Sequence, residues 1–542
     1  MNEEIIFSST PKRIDLLKLA TSKIEKKIVI GVHRNHSFEM IENIISPFLN
    51  YSGISANLIY SDYDDSLNFH NNQDADIQLI WLDTARYKNN KISQWLYERI
   101  LYLRSTVSSP IVLIHTGDKE IDDFSQEVKD FFVFSVSELL KNFSKEDLYD
   151  IEKEAFSGTK LSNKACIKLA QILGLSIIPS IIQPSLKAIV FDLDNTLYNG
   201  VLGEEGIDNI KVTKAHTQVQ NKILELKNKG FFICLASKNE EADAIELFKA
   251  RKDFVLKWND FACTRVNWNP KSSNIREIAK QLNIGTDAIL FIDDNPAEIQ
   301  NVESSNINVK TFLARTPDLT LNALNLYPRL LKLKKSKEDS IRTKDVQANQ
   351  IRNNLAKELS QKEYFEKLGI ELTFSINDKS EIPRISELFG KTNQFIFTYA
   401  RYSEQQVSML MNSVNSAVIT VKMSDNLSDS GIIAICAAKK DNENNLELLE
   451  LTISCRALGR NLEDIMILKM FEYLKLHLKS NNKIKINYKK GPRNAPAIGS
   501  LEKILKTSLN NDKGFADFEI NKTIDTSGLS IKIKYPNFAN LV

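Results

Sequence analysis

The stretch KAIVFDLDNTLYNG, Lys187 to Gly200, decides the reading of this chain. A short apolar run, Ala188 to Phe191, leads straight into two aspartates spaced one apart, Asp192 and Asp194. Apolar runs without polar alternation belong to strands covered on both faces, as in a parallel sheet. Ligands of such sheets gather outside the carboxyl ends of the strands. The residues that follow each apolar run are therefore the ones to inspect.

Two more runs of this kind follow, FFICLAS (231–237) ending on Ser237 and AILFIDD (288–294) ending on Asp293 and Asp294. Between the runs lie helical patterns, KAHTQVQNKILELKNKG (214–230), EEADAIELFKA (240–250) and KSSNIREIAKQLNI (271–284), the last opened by Lys271 after NWNP. This order brings four acids, a hydroxyl and an ammonium to one rim. Phosphoryl transfer wants that set. A carboxylate attacks phosphorus once Mg²⁺, a hard cation that takes carboxylate oxygens, screens their repulsion. A second acid protonates the leaving oxygen and later activates water. Ser237 and Lys271 would hold the non-bridging oxygens. A lone pair of aspartates at a strand end also fits a turn, but four motifs in order favour the site.

Outward from this centre, the chain divides. Before it, strand-like runs KKIVIGV (26–32), ADIQLIWLD (75–83), PIVLIHT (110–116) and DFFVFSV (130–136) alternate with helical runs at 39–53, 91–105 and 163–174, the signature of a further α/β domain. IIPSIIQPS (177–185) reads as a linker. After the centre, the charge-rich segment 330–368 reads as a helical connector whose charges form a solvated face. The remainder has the order β-α-α-β-β-β-α-β of an α+β domain. The expected domains are 1–183, 184–329, a connector 330–366, and 367–542.

The length of 542 residues calls for several cores. With 71 Lys+Arg against 69 Asp+Glu, no global field favours nucleic acid or an anionic membrane. No stretch of about 18 apolar residues and no basic, apolar leader is evident, so a cytoplasmic protein is expected. Five cysteines in no paired spacing argue against a disulfide framework or a zinc site.

The order of DxDxT, strand-end Ser, Lys and DD resembles the haloacid dehalogenase (HAD) superfamily of aspartate-nucleophile phosphatases. The resemblance implies Asp192 as nucleophile and Asp194 as acid/base. It gives phosphate binding to Thr196, Ser237, Lys238, Asn239 and Lys271, and a Mg²⁺ site to Asp192, Asp194, Asp293 and Asp294. No domain-sized insert lies between Ser237 and Asp293, so a neighbouring domain or a protein-borne substrate is expected to close the site. LDNTLYNGVLGEEG (193–206), ASKNE (236–240), NWNPKSSNI (267–275), FIDDNPAEIQNV (291–302), KTNQFIFTYARYS (391–403) and SCRALGRNLED (454–464) resemble the FkbH-like branch of that superfamily. Where that branch commonly shows Trp-Gly-Gly, this chain has Tyr198-Asn199-Gly200.

Characterised members of the branch take 1,3-bisphosphoglycerate, remove a phosphate, and deliver a glyceryl group as a thioester to an acyl carrier protein, as in polyketide assembly. The resemblance implies a HAD-like doubly wound parallel sheet in the centre. An N-terminal SGNH-like α/β domain and a C-terminal GNAT-like α+β acyltransferase domain would flank it. In the last, Arg456, Gly459 and Arg460 are expected to bind the pyrophosphate of a phosphopantetheine arm, on an acyl carrier protein or coenzyme A, at a helix N-terminus. Cys455, just before that loop, is either a transient acyl carrier or a buried strand-end cysteine. Asn393, Gln394, Arg401, Tyr402, Arg493 and Asn494 either contact substrate or cap helices. The first domain lacks a late histidine to serve Ser37, so docking or lid duty is expected of it. Two alternatives stay open: a Mg²⁺ phosphatase for another phosphorylated metabolite, for example in surface-glycan assembly, and a carrier-binding scaffold.

Overall fold

In the computed structural model the chain forms two compact units, Met1–Ser185 with Ala314–Lys334, and Leu186–Leu313 with Lys335–Val542. The structure describes residues 3–20, 24–61, 67–69, 74–87, 92–116, 121, 127–305, 307–333, 348, 352, 355, 358–454, 457, 458, 460, 462–520 and 530–535.

The first unit holds a five-stranded parallel sheet of β1 (Lys26–Arg34), β2 (Ile54–Tyr60), β3 (Ile77–Leu82), β4 (Ile111–His115) and β5 (Phe131–Ser135), in the order β2-β1-β3-β4-β5. β3 and β4 are buried along their whole length, which is why their sequences run apolar without alternation. The helix Glu39–Tyr51 packs on the helical run from Asn163, and at Gly174 the two backbones meet so closely that a Cβ would lie 2.7 Å from the Phe48 Cβ.

Two expectations fail here. Residues 178–182 form no linker: the helix Asn163–Ile172 continues through a π turn, Leu173–Ile177, into Ile178–Ile182. Pro179 falls in the first turn of that last piece, where a missing N–H is least harmful. The run Asn163–Ile182 is thus long and apolar enough to cross a membrane, with mean hydropathy 1.9, and 78% of its window is buried inside the protein. Residues 314–329, expected with the centre, pack on this first unit instead. Tyr327 stacks on Phe7 at 5.9 Å, and the Arg329 Nε donates to the Pro184 carbonyl at 2.5 Å.

The second unit contains two sheets. The first joins β6 (Ala188–Phe191), β7 (Phe232–Ser237), β8 (Cys263–Val266), β9 (Ile289–Asp293) and β10 (Lys310–Leu313) in the order β10-β9-β6-β7-β8, all parallel. The strand order reverses direction between β6 and β9, the crevice where doubly wound sheets bind ligands.

The second is a seven-stranded mixed sheet of β11 (Glu371–Ile376), β12 (Ser416–Ser424), β13 (Asp429–Lys440), β14 (Leu446–Ile453), β15 (Lys483–Lys489), β16 (Lys513–Glu519) and β17 (Lys532–Lys534), ordered β16-β15-β14-β13-β12-β11-β17. Its core includes Met466, Met470, Phe471 and Leu474 from the helix Glu463–Leu478. Across β13 and β14 the pairing passes from Leu448 to Glu450 and skips Leu449, a bulge. Beyond it β14 and β15 part, their parallel pairing running only over Leu446–Leu448.

The connector's charges are not all solvated. Arg352 is 1% exposed and forms a two-bond pair with Asp425, at 2.7 and 2.8 Å. A buried guanidinium needs such a partner, so Arg352 itself is tied to the mixed sheet's domain.

Candidate functional site

β6 and β9 end side by side, and the Asp192 amide continues the ladder by donating to the Ile292 carbonyl at 3.0 Å. One step past the strands, oxygens of Asp192, Asp293 and Asp294 lie within 4.8 Å of one another. The Lys271 ammonium stands 2.8 Å from Asp192 Oδ1 and 2.5 Å from Asp293 Oδ2, with Lys271 4% exposed and Asp293 fully buried. Lys271 opens the helix Lys271–Leu282, where the helix dipole disfavours a cation. The two carboxylates, not the helix, hold it there.

Burial pushes the Asp192 carboxyl up to about 6, against the pull of Lys271 and with a further push from Asp293. Burial also raises Asp293, and burial together with the Asp192 charge raises Asp294. Burial lowers the Lys271 ammonium, but Asp192 and Asp293 outweigh it and the group ends raised, hence charged. One ammonium thus serves three crowded acids, and a hard divalent cation fits the remaining demand.

Asp194 belongs elsewhere. Its Oδ1 accepts from the Tyr198 hydroxyl at 2.6 Å and the Leu202 amide at 3.0 Å, and its Oδ2 accepts from Asn239 Nδ2 at 2.9 Å. Three donors hold its carboxylate, while the acids whose oxygens come together are Asp192, Asp293 and Asp294. Ser237 is joined to the site by hydrogen bonds with Asp192 and with Asn239 Nδ2, the latter at 3.1 Å. Asn239 therefore links Asp194 to Ser237. Lys238, expected on phosphate, instead pairs with Glu298 at 2.6 Å, which takes up its charge. Thr196 is 2% exposed and its hydroxyl is buried without a partner among the described residues. Tyr198 and Glu298 are the contributors that motif reading missed, although Tyr198 stood out as a departure from the family pattern.

Among the described residues, the C-terminal candidates Asn393, Gln394 and Arg493 make their contacts away from this rim. Arg493 pairs with Asp287, and Asn393 and Gln394 line a small cavity with Lys187 and Asp287. Lys187 and Asp287 precede β6 and β9, so the mixed-sheet domain meets the opposite end of the strands.

In that domain Cys455, Arg456 and Gly459 lie outside the described residues. Arg460 is 3% exposed, its guanidinium 3.5 Å from Asp425 Oδ2 and 3.3 Å from Ser430 Oγ, so its side chain is engaged within the domain. The edge of β14 past the bulge is also occupied. The Phe397 amide donates to the Leu451 carbonyl and the Ile453 amide to the Phe395 carbonyl, pairing Phe395–Phe397 antiparallel to β14. Glu450, fully buried, fixes this segment by accepting from the amides of Phe397, Thr398 and Ala400 and from the Thr398 hydroxyl. Arg401 caps the helix Ile382–Lys391 through the carbonyls of Phe389 and Thr392. Asn494 bonds the Ile396 and Lys489 carbonyls. Both fill capping and bracing roles.

In the first unit, the Ser37 hydroxyl donates to Glu39 at 2.5 Å. His36 stacks on Trp81 at 4.7 Å with its Nδ1 3.0 Å from the Thr159 hydroxyl, and burial lowers its pKa to about 3. The His36 ring is thus engaged with Trp81 and Thr159, and the Ser37 hydroxyl with Glu39.

No family model and no curated protein matches the chain. Among solved structures it is similar to the N-terminal part of protein BF1531 from Bacteroides fragilis, which contains a phosphatase domain complexed with Mg; identity is 23% over 61% of this chain and 100% of that one, with a TM-score of 0.47. It is also similar to spermidine N-acetyltransferase SpeG from Vibrio cholerae, at 14% identity over 29% of this chain and 98% of that one, TM-score 0.22. A GNAT-family acetyltransferase from Streptococcus pneumoniae aligns at 12% identity over 24% of this chain and 82% of that one, TM-score 0.20.

Proposed function

We propose that the central sheet carries a Mg²⁺-dependent phosphatase of the HAD, aspartate-nucleophile type. The supporting observation is the acid cluster of Asp192, Asp293 and Asp294 with Lys271 against it and Asp194 held by donors of its own. When bound to Asp192, Asp293 and Asp294, Mg²⁺ supplies charge that lets a carboxylate and a phosphate approach. Asp192 then attacks phosphorus, the bond from phosphorus to the leaving oxygen breaks, and Asp194 donates its proton to that oxygen. In the second half Asp194 takes a proton from water, whose oxygen displaces Asp192 from phosphorus and frees phosphate. Ser237 and Lys271 hold the phosphoryl oxygens.

The finer reading is an FkbH-like bifunctional protein. The phosphatase removes the monoester phosphate of 1,3-bisphosphoglycerate or a similar acyl phosphate, and the GNAT-like C-terminal domain passes the acyl unit to an acyl carrier protein thiol, the acyl phosphate leaving as inorganic phosphate and the thiol giving up its proton. Supporting it are the motif phrases across residues 193–464 and the parting of β14 from β15 beyond a bulge. Because Phe395–Phe397 holds the free edge of β14, a phosphopantetheine arm must displace that segment or lie elsewhere. Incubating the protein with Mg²⁺, 1,3-bisphosphoglycerate and a carrier protein, then weighing the carrier, tests this directly. A glyceryl adduct supports the finer reading; phosphate release without an adduct leaves a phosphatase for another metabolite.

A further inference from the structure

Tyr198 lies where this chain departs from the phrase of its relatives, and its contacts bear on the acid/base step. The ring is fully buried, 5.8 Å from Phe254, so its hydroxyl position is set by packing. That hydroxyl donates to Asp194 Oδ1 at 2.6 Å, and the Leu202 amide donates to the same oxygen at 3.0 Å. Asp194 Oδ2 faces the other way, toward Asn239, which itself bonds Ser237.

We propose that Tyr198 is a positioning residue that holds Oδ1 of Asp194 as a fixed acceptor and leaves Oδ2 as the oxygen that exchanges a proton with the substrate. An oxygen receiving both an O–H and an N–H has its lone pairs engaged, so a transferable proton belongs on the other oxygen. Oδ2 is the oxygen on the side of Asn239 and Ser237, where the substrate phosphate is read to lie. Without the Tyr198 hydroxyl, one amide alone fixes Oδ1, and the carboxyl can turn or carry its proton on the wrong oxygen. The proposal rests on the phosphatase reading of this site.

The step it serves balances simply. As the bond from phosphorus to the leaving oxygen breaks, that oxygen keeps the electron pair and takes the proton from Oδ2; in the hydrolytic half the proton returns to Oδ2 from water. A strongly basic alkoxide needs that proton, whereas p-nitrophenolate leaves almost without it.

The test is Tyr198→Phe in the full chain, assayed with Mg²⁺ on an alkyl monophosphate and on p-nitrophenyl phosphate, with thermal melting to confirm the fold. The expected result is a fall in kcat/KM for the alkyl ester of about tenfold beyond any fall for the aryl ester, because kcat/KM reports phosphoryl transfer to Asp192, where acid catalysis is worth about 10²–10⁴ and misdirection forfeits part of it. Equal falls for both esters, or no fall, overturn the proposal. Tyr198→Leu also lacks the donor, and whichever variant folds must show the same change in ratio. Wild-type protein inactive on both esters would instead count against the phosphatase reading itself.

Discussion

Replacing Lys271 with methionine keeps the length of the side chain and removes its charge. In the native protein the ammonium lies 2.8 Å from Asp192 and 2.5 Å from Asp293, all three groups buried. At an effective dielectric of about 20 each attraction is on the order of 6 kcal/mol before desolvation. Removing one partner of such a buried set costs about 3–5 kcal/mol net, because the stranded carboxylates remain. The pH dependence follows from the direction of the shifts. Asp192 already sits raised to about 6 with Lys271 present and climbs further without it. A carboxyl whose folded pKa exceeds its unfolded value favours the fold below the unfolded value and loses that contribution as pH rises through the folded one. The deficit of Lys271→Met should therefore be largest near pH 7.5 and smaller at pH 5, where a proton neutralises Asp192. Urea unfolding of the full-length protein at both pH values, with and without Mg²⁺, reads this out, and Mg²⁺ should narrow the gap at pH 7.5. A loss below about 1 kcal/mol at both pH values, or a larger loss at pH 5, would show that Lys271 does not hold these carboxylates charged.

Other expectations follow from the same contacts. Mg²⁺ should raise the melting temperature of the wild type more at pH 7.5 than at pH 5, because Asp192 holds a proton below about 6; a cation at a hundred times its Kd is worth about 2.7 kcal/mol. An equal shift at both pH values would place the cation elsewhere. Glu450→Ala strands the amides of Phe397, Thr398 and Ala400, at a cost of about 3 kcal/mol. Limited proteolysis should then cut near residues 393–401 sooner than in the wild type, and unchanged cleavage would show that Glu450 does not pin the segment. Arg352→Met leaves Asp425 buried with Arg460 as a more distant partner, so a loss of about 3 kcal/mol is expected in urea unfolding. A loss within about 0.5 kcal/mol, as at an ordinary surface position, would return Arg352 to the solvated face first expected of it.

What the chain disclosed depended on how each feature is written in it. β6 and β9 are fully buried, so their apolar runs were plain, and the acids after them stood out because charge at the end of such a run is rare. β8 and β10, CTRV and KTFL, are half-buried edge strands of four residues that show neither alternation nor an apolar run. β2, ISANLIY, was lost for a similar reason, being mostly half-buried and entered through Gly53 at φ 72° directly after a helix. The partners of Asp194 are donors four, eight and 45 residues further along the chain, a matter of tertiary packing that spacing does not encode. Arg352 and Arg460 illustrate the converse: a charge reads as exposed until its buried partner, here Asp425, is found.

The proposed phosphatase chemistry requires Asp192 to accept the phosphoryl group. Rapid acid quench of the wild-type protein turning over an acyl or alkyl phosphate with Mg²⁺, followed by digestion and mass spectrometry, examines that bond. The account predicts a phosphoryl adduct on the peptide carrying Asp192, absent without Mg²⁺ and absent in Asp192→Asn, which should release no phosphate. Phosphate release that persists in Asp192→Asn, with no adduct on that peptide in the wild type, would contradict it.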